Sequence, residues 1–356
     1  MQVVVYEPAK RSLDAIEPIA KWALEVEMKS AELVWSRRGC DSLRVQLVPI
    51  DVHSDTDVPW RYTPVRWASH VVVLVDGANV WEGFVTELEW GRGGQLVGFT
   101  AVGYDRVAHD VVSYSGTYGN LLPIVVGNTA PFLRVVGAPP LEGTTSAQFT
   151  VADACEFLRR LATADGELVD VSAEPGGILR IAMWDTKPVK VLKSAPLVVP
   201  PDATVTWPRY EEIATEVVVQ GRSATMNALD TARAADLGFA RRVIVDVTRS
   251  NVANPSAIAY RLLYERYAPM PSVSWQGISQ WERSDNTLVG ATAITVGDDV
   301  LVPGYGPVRV TRVVHRYPGP TVEIEAGRPA TPDAALERLR LAVEAATLGR
   351  DANSWW

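Results

Sequence analysis

The sequence predicts a mainly β chain with an α+β insert: two similar β-barrel domains, a smaller α+β domain and a C-terminal helix. Three observations carry this. Gly and Pro, 26 and 24 in number, punctuate many short apolar runs over 356 residues, the pattern of strands joined by turns rather than of a helical bundle. Several runs alternate apolar and polar residues with the two-residue period of a half-buried strand. One succession also occurs near both ends, opening with VLVDG at 73–77 and with VLVPG at 300–304. A chain of this length, 47% hydrophobic, has the apolar content for two or three domains.

Residues 1–120 read as the first barrel. SLRVQLV puts Leu43, Val45 and Leu47 on one face and Arg44 and Gln46 on the other. HVVVLVDG is a nearly continuous apolar strand ending at Asp76 and Gly77, a strong hairpin signal. VWEGFVTELEW then runs to GRGG, and LVGFTAVG follows, a three-stranded meander of the kind that curls into a barrel or sandwich. Residues 121–200 read as the α+β domain. The stretch 115–148 is crowded with turn formers and reads as long loops or irregular strands. In TVADACEFLRRLATADG, Thr150 caps a helix with Asp153 in its first turn. Ala154, Phe157, Leu158 and Leu161 form its apolar stripe, and Gly166 stops it. GELVDVSAE and GILRIAMWD follow as strands, and the prolines of APLVVPPDATVTW stiffen a boundary.

Residues 201–330 read as the second barrel. EIATEVVVQG and ARRVIVDVT are strands around a polar loop, RSATMNALDTARAADLG. NPSAIAYRLLYERYA is a helix with Asn254 at its cap and Pro255 at its first position. The second meander then turns at Pro303 and Gly304, and its third strand ends in Gly327 as the first ends in Gly103. Residues 331–356 form the C-terminal helix and tail, with Leu336, Leu339, Val343 and Ala346 at 3-4-3 spacing. Two heptads do not make a coiled coil, so this helix packs on the body or pairs between chains. Leu336, Leu339 and Val343, with the apolar end Trp355 and Trp356, are candidate contacts to another chain or partner.

Composition excludes several functions. With 34 basic and 42 acidic residues the net charge is -8, and no basic stretch offers a nucleic-acid footprint. Cys40 and Cys155 share no metal spacing with each other or with a histidine. The N-terminus lacks a secretory pattern, and no apolar run approaches the ~20 residues of a membrane span, so a soluble chain without a membrane anchor is expected. His53, His70, His109 and His315 form no HExxH and serve no G-x-S-x-G elbow. GRGG lies in a hairpin with no following helix to cradle a phosphate. Glu87 with Glu89, and Glu211 with Glu212, are near neighbours rather than a carboxylate pair across a cleft. No catalytic, cofactor or metal site is therefore expected, and the chain is read as not an enzyme. The 12 tryptophans suit cores and subunit interfaces better than sugar stacking.

The order of parts is more specific than any one part. GFTAVGYDRVAHD, ITVGDDVLVPGYGPVRVTRVVHRY, VEIEAGRPATPDAALERL and the early LVWSRRGCDSLRVQL together resemble the tail hub proteins of long-tailed bacteriophages and related injection machines, over residues 1–340. That resemblance implies a homotrimer at the tail tip of the virion, with two barrels per chain giving six units in a ring. A sixfold tail tube then meets a threefold tip. It implies as partners the tail tube or distal tail ring, the tape measure protein and a tip spike or fibre, with DNA passing through without specific binding. The physical logic is independent: a trimer of internally duplicated chains offers six nearly equivalent contacts where a plain trimer cannot. The other reading is a tail-associated carbohydrate-binding or cell-wall-degrading protein.

Overall fold

The run SLRVQLV forms the middle of a long strand in the computed structural model, with Leu43, Val45 and Leu47 buried and Arg44 and Gln46 exposed. The structure describes residues 1–8, 21–23, 28–50, 65–108, 110–137, 143–159, 168–184, 195–221, 224–246, 267–277, 280–318 and 321–327, with positions 141, 161, 256, 259–260 and 262–263. The first half contributes β1 (Gln2–Pro8), β2 (Lys21–Ala23), β3 (Met28–Ser36), β4 (Gly39–Ile50), β5 (Ser69–Val75), β6 (Ala78–Trp90) and β7 (Leu96–Val102). The insert contributes β8 (Val112–Thr117), α1 (Tyr118–Thr129), β9 (Arg134–Val136), β10 (Thr144–Phe149), α2 (Val151–Arg159), β11 (Leu168–Glu174) and β12 (Ile178–Trp184). The last third begins with β13 (Leu197–Val198), β14 (Thr204–Thr206), β15 (Glu216–Gln220), β16 (Thr225–Leu229), α3 (Thr231–Leu237) and β17 (Arg242–Asp246). It ends with β18 (Ser272–Gly277), β19 (Gln280–Glu282), β20 (Leu288–Gly290), β21 (Asp299–Val302), β22 (Gly306–Tyr317) and β23 (Thr321–Gly327).

Both meanders fold as expected, and their strand orders agree. In the first half, β3 to β7 lie in sheet order β5-β6-β7-β4-β3. In the last third, β14, β18, β21, β22 and β23 lie in the order β21-β22-β23-β18-β14. Numbered by chain position, both read third-fourth-fifth-second-first, and every neighbouring pair is antiparallel. The last third differs by what it inserts. Between β14 and β18 comes a separate sheet, β16-β15-β17, with α3 and a small core of its own around Val217, Val219 and Leu263.

Neither unit closes into a barrel among the described strands. The two join instead in one sheet path running from β14 to β2, because β22 divides its pairing between β21 and β3. The α+β insert expected over 121–200 is also not independently cored: Leu121, Val125, Ala154, Leu158 and Val171 share one cluster with Leu43, Phe99 and Trp81 of the first half. The expected boundary near 200 instead supplies β13 and β14, which pair with β21 and β18 of the last third.

Two stretches read as loops are ordered. Residues 118–129 form α1 despite Pro123, because Leu121, Leu122, Val125 and Val126 all bury there. Within the expected polar loop, residues 225–229 form β16 and 231–237 form α3, whose cap Asp230 accepts the Arg233 amide at 2.9 Å and whose C-cap Gly238 is left-handed. Asp230→Ala is expected to cost about 1 kcal/mol, read as faster hydrogen exchange of the α3 amides with little change elsewhere. The Thr150 cap forms as read: its Oγ1 accepts the Asp153 amide at 3.0 Å, and Asp153 accepts the Thr150 amide at 3.2 Å. Asn254, Pro255, His53 and His109 lie outside the described residues, as does the expected C-terminal helix.

Candidate functional site

The joint between the two units is a short length of shared sheet. β22 pairs with β21 from Val302↔Gly306 to Asp299↔Arg309, then with β3 from Arg312↔Ser36 to Tyr317↔Ala31. The change of neighbour falls at a bulge. The β22–β23 register shifts between Val310 and Arg312, leaving Thr311 as the extra residue. The bulge also moves the alternation, so that Val308 and Val310 lie on the buried face before it and Val313 and His315 after it, with Val314 buried on the opposite face.

On the apolar face, the rings of Trp35 and His315 meet edge-on, centroids 4.8 Å apart. Trp35 Nε1 donates to the Val80 carbonyl at 3.2 Å. Burial pushes the His315 pKa down to about 4, so at neutral pH it packs as an uncharged ring. On the other face a ladder of charges crosses three strands. Arg316 reaches Glu32 and Glu323, both at 2.8 Å, and Arg312 reaches Glu325 at 2.8 Å and Glu323 at 3.2 Å. These pairs are partly solvated and contribute at most about 1 kcal/mol each. Exclusion of water from Leu33, Trp35, Val313 and His315 is the larger contribution.

The first unit repeats this construction in detail. The β6–β7 register shifts between Val85 and Glu87, leaving Thr86 as the extra residue. Thr86 donates to the Thr100 carbonyl at 3.4 Å, as Thr311 donates to the Glu325 carbonyl at 3.3 Å. Leu43 of the second strand faces Ala101, and Val273 faces Ala326. Around them Ser42, Val45 and Gln46 find counterparts in Ser272, Trp275 and Gln276. Leu33 of the first strand faces Leu43, and Val205 faces Val273. Trp35 and Trp207, each two residues further on, therefore stand at the same place. Both fifth strands run into a glycine, Gly103 and Gly327, with no room for a Cβ against neighbouring backbone.

Asp76 and Gly77 form a two-residue hairpin between Val75 and Ala78, both with positive φ, 51° and 80°. Pro303 and Gly304 open a three-residue loop between Val302 and Gly306, with the Tyr305 amide donating to Val302 and Gly304 at φ 80°. The hairpins correspond, but the first is a primed turn and the second carries Pro and Gly at the positions a type II turn demands. Leu336, Leu339, Val343, Trp355 and Trp356 lie outside the described residues. The pairs Thr86 with Thr311, Trp35 with Trp207, and Trp90 with His315 were not singled out in the sequence. The signals available were LVW against VTW and SLRVQ against SVSWQ.

Several of the polar groups singled out have structural partners. His70, buried beside Glu82 and Tyr104, lies with Nε2 3.1 Å from Glu82 Oε1. Burial works to raise the Glu82 pKa, but bonds from His70, the Gly176 amide and Asn79 outweigh it and hold it below the carboxylate range. Glu89 pairs with Arg44 at 2.8 Å, and Glu212 caps a turn by accepting the Arg209 amide at 3.0 Å. Cys40 and Cys155 are buried free thiols, the first raised to about 12 by burial. Trp81, Trp275 and Trp281 are buried, while Trp67, Trp90 and Trp207 are exposed. Among the described residues no cluster of His, Cys, Asp and Glu could hold a metal ion, and no helix is long and apolar enough to cross a membrane.

The architecture has known counterparts. The chain is similar to the 43 kDa tail protein of prophage MuSo2 from Shewanella oneidensis, with a TM-score of 0.57 and 13% identity over 92% of this chain and 99% of that one. It has the fold of prophage tail proteins. The prophage tail protein gp18 from Listeria monocytogenes matches with a TM-score of 0.56 and 13% identity, covering 96% of this chain and 99% of its own. A tail protein from Neisseria meningitidis matches at 0.51 and 13% identity, covering 92% and 96%. No family model and no curated protein sequence matches.

Proposed function

We propose that the chain is a structural protein of a phage tail: a homotrimeric hub at the tail tip that joins the sixfold tail tube to a threefold tip around the DNA exit channel. The observation that carries this reading is the duplication. One chain contains two five-stranded units of identical sheet order, each with its bulged threonine at the same point. A chain selected only to bind a ligand or cut a bond has no need of two such units, whereas three duplicated chains give six similar units around one axis. The two units act as barrel-type halves that alternate around the ring. Their partners are the tail tube or distal tail ring, the tape measure protein and a tip spike or fibre. The net charge of -8 per chain favours passage of DNA without adhesion.

The test is the mass and shape of the purified chain. Light scattering is expected to give a trimer, and electron microscopy rings with a central hole and six peripheral densities. A monomer that binds or degrades purified cell wall would overturn this reading in favour of the carbohydrate-active one.

A further inference from the structure

The joint occurs once within the chain, while the chain holds parts for two. At the formed joint, the far half of the fourth strand of the second unit, β22, pairs with the first strand of the first unit, β3. By the same strand order, the complementary edges are the far half of β6 and the outer edge of β14. Among the described residues both are open: residues 86–90 of β6 pair only with β7, and β14 pairs only with β18. Each open edge carries a tryptophan. Trp90 is 37% exposed, and Trp207 is 50% exposed.

The bulges fix how the edges would meet. Matching Thr86 to Thr311 places Trp90 where His315 stands. Matching Leu33 to Val205 places Trp207 where Trp35 stands. The formed joint packs Trp35 on His315. Its counterpart would pack Trp207 on Trp90, with Leu88 opposite Trp207, Glu89 opposite Thr206 and Trp90 opposite Val205. Within one chain this cannot be satisfied by the formed joint, since β14 and β6 lie far apart along the sheet path, with β18, β23, β22, β3, β4 and β7 between them.

We propose that residues 86–90 of one copy pair antiparallel with β14 of a second copy of this chain, Trp90 against Trp207, repeating between chains the joint that β22 and β3 make within one. This rests on the hub reading and names the contact that builds the ring. The interface is head-to-tail: each copy offers a β6 edge to one neighbour and a β14 edge to the other, the arrangement that closes into a ring rather than stopping at a symmetric pair. It also covers two open strand edges, which otherwise invite uncontrolled pairing.

Cross-linking tests the register. Glu89 and Thr206 are predicted to face each other directly, at a strand-pair separation that a disulfide spans. Full-length Glu89→Cys chain mixed with full-length Thr206→Cys chain is expected to give a disulfide-linked dimer under mild oxidation, and neither alone should. The buried native thiols do not compete. Asp76→Cys mixed with Thr206→Cys serves as the off-joint pair and is expected to stay uncrosslinked. Trp207 is half exposed and meets Tyr305 edge-on, centroids 6.0 Å apart; Trp207→Ala is expected to lower the assembled fraction at least tenfold with only a small shift in the unfolding midpoint of the single chain. Trimers by light scattering without the cross-link, or with full assembly of Trp207→Ala, would overturn this joint and leave the hub reading standing. A monomer at every concentration would overturn both.

Discussion

Asp105→Ala is expected to destabilise the chain by about 3–5 kcal/mol, the cost of removing one side of a buried ion pair. Asp105 sits in the turn after β7 with its carboxylate fully buried, and Arg159 of α2, 7% exposed, donates to it at 2.6 Å. Arg159 also donates through Nε to the Val171 carbonyl at 3.0 Å and through Nη1 to Glu156 at 2.8 Å, and Arg38 joins Glu156 at 2.7 Å. The group thus ties the insert to the first sheet. Burial pushes the Asp105 carboxyl up against the pull of Arg159, Arg38 and Arg106, the expected behaviour of a desolvated ion pair. The double variant Asp105→Leu with Arg159→Met removes both charges and is expected to lose less than Asp105→Ala alone. Urea midpoints of the two variants decide it. Equal midpoints for wild type and Asp105→Ala would show that Glu156 and the Val171 carbonyl suffice for Arg159.

The second large effect is a loss of stability between pH 6.5 and about 4. His315 has its pKa lowered in the fold to about 4 from 6.5 by burial, so the unfolded chain binds its proton first as pH falls. The contribution is complete above pH 6.5 and declines through that window, and the loss amounts to about 3 kcal/mol at its end. Its charged neighbour Arg316 is adjacent in the strand, faces the other side of the sheet and is already paired with Glu32 and Glu323. Glu82, held below its ordinary range, acts in a lower window: its contribution is present above pH 4.5 and is lost as pH falls through its folded value. In His315→Leu the upper loss should vanish and the lower one remain. Thermal midpoints taken every half pH unit would show this, and a wild type flat from pH 6.5 to 4.5 would refute it.

The meanders were legible because their strands are bounded by Asp76 with Gly77, by GRGG, and by Pro303 with Gly304, turn chemistry that acts locally. The Thr150 cap was legible for the same reason. α1 was not, since Gly119, Pro123 and Gly127 speak against a helix and only the burial of Leu121, Leu122, Val125 and Val126 overrides them. The signals for α3, Asp230 and Gly238, were present but lay in a polar stretch without an apolar stripe. The joint could not be read at all. Alternation states which face of a strand is buried, not which strand lies beside it. The likeness of LVW and VTW is hidden by the long insertion that separates β14 from β18 but not β3 from β4.

The pairing of β22 with β3 also sets an order of events at the ribosome. Arg316 and Glu32 are 284 residues apart in sequence. At roughly 5–20 residues per second, tens of seconds pass between the synthesis of β3 and that of its partner. Through that interval the first unit can gather its strands, but the outer edge of β3 has no native neighbour within the nascent chain. Nascent copies on one message would then be prone to pair through this edge, and rapid supply of the last strands, rather than stability of the first, would limit the yield of correctly folded protein.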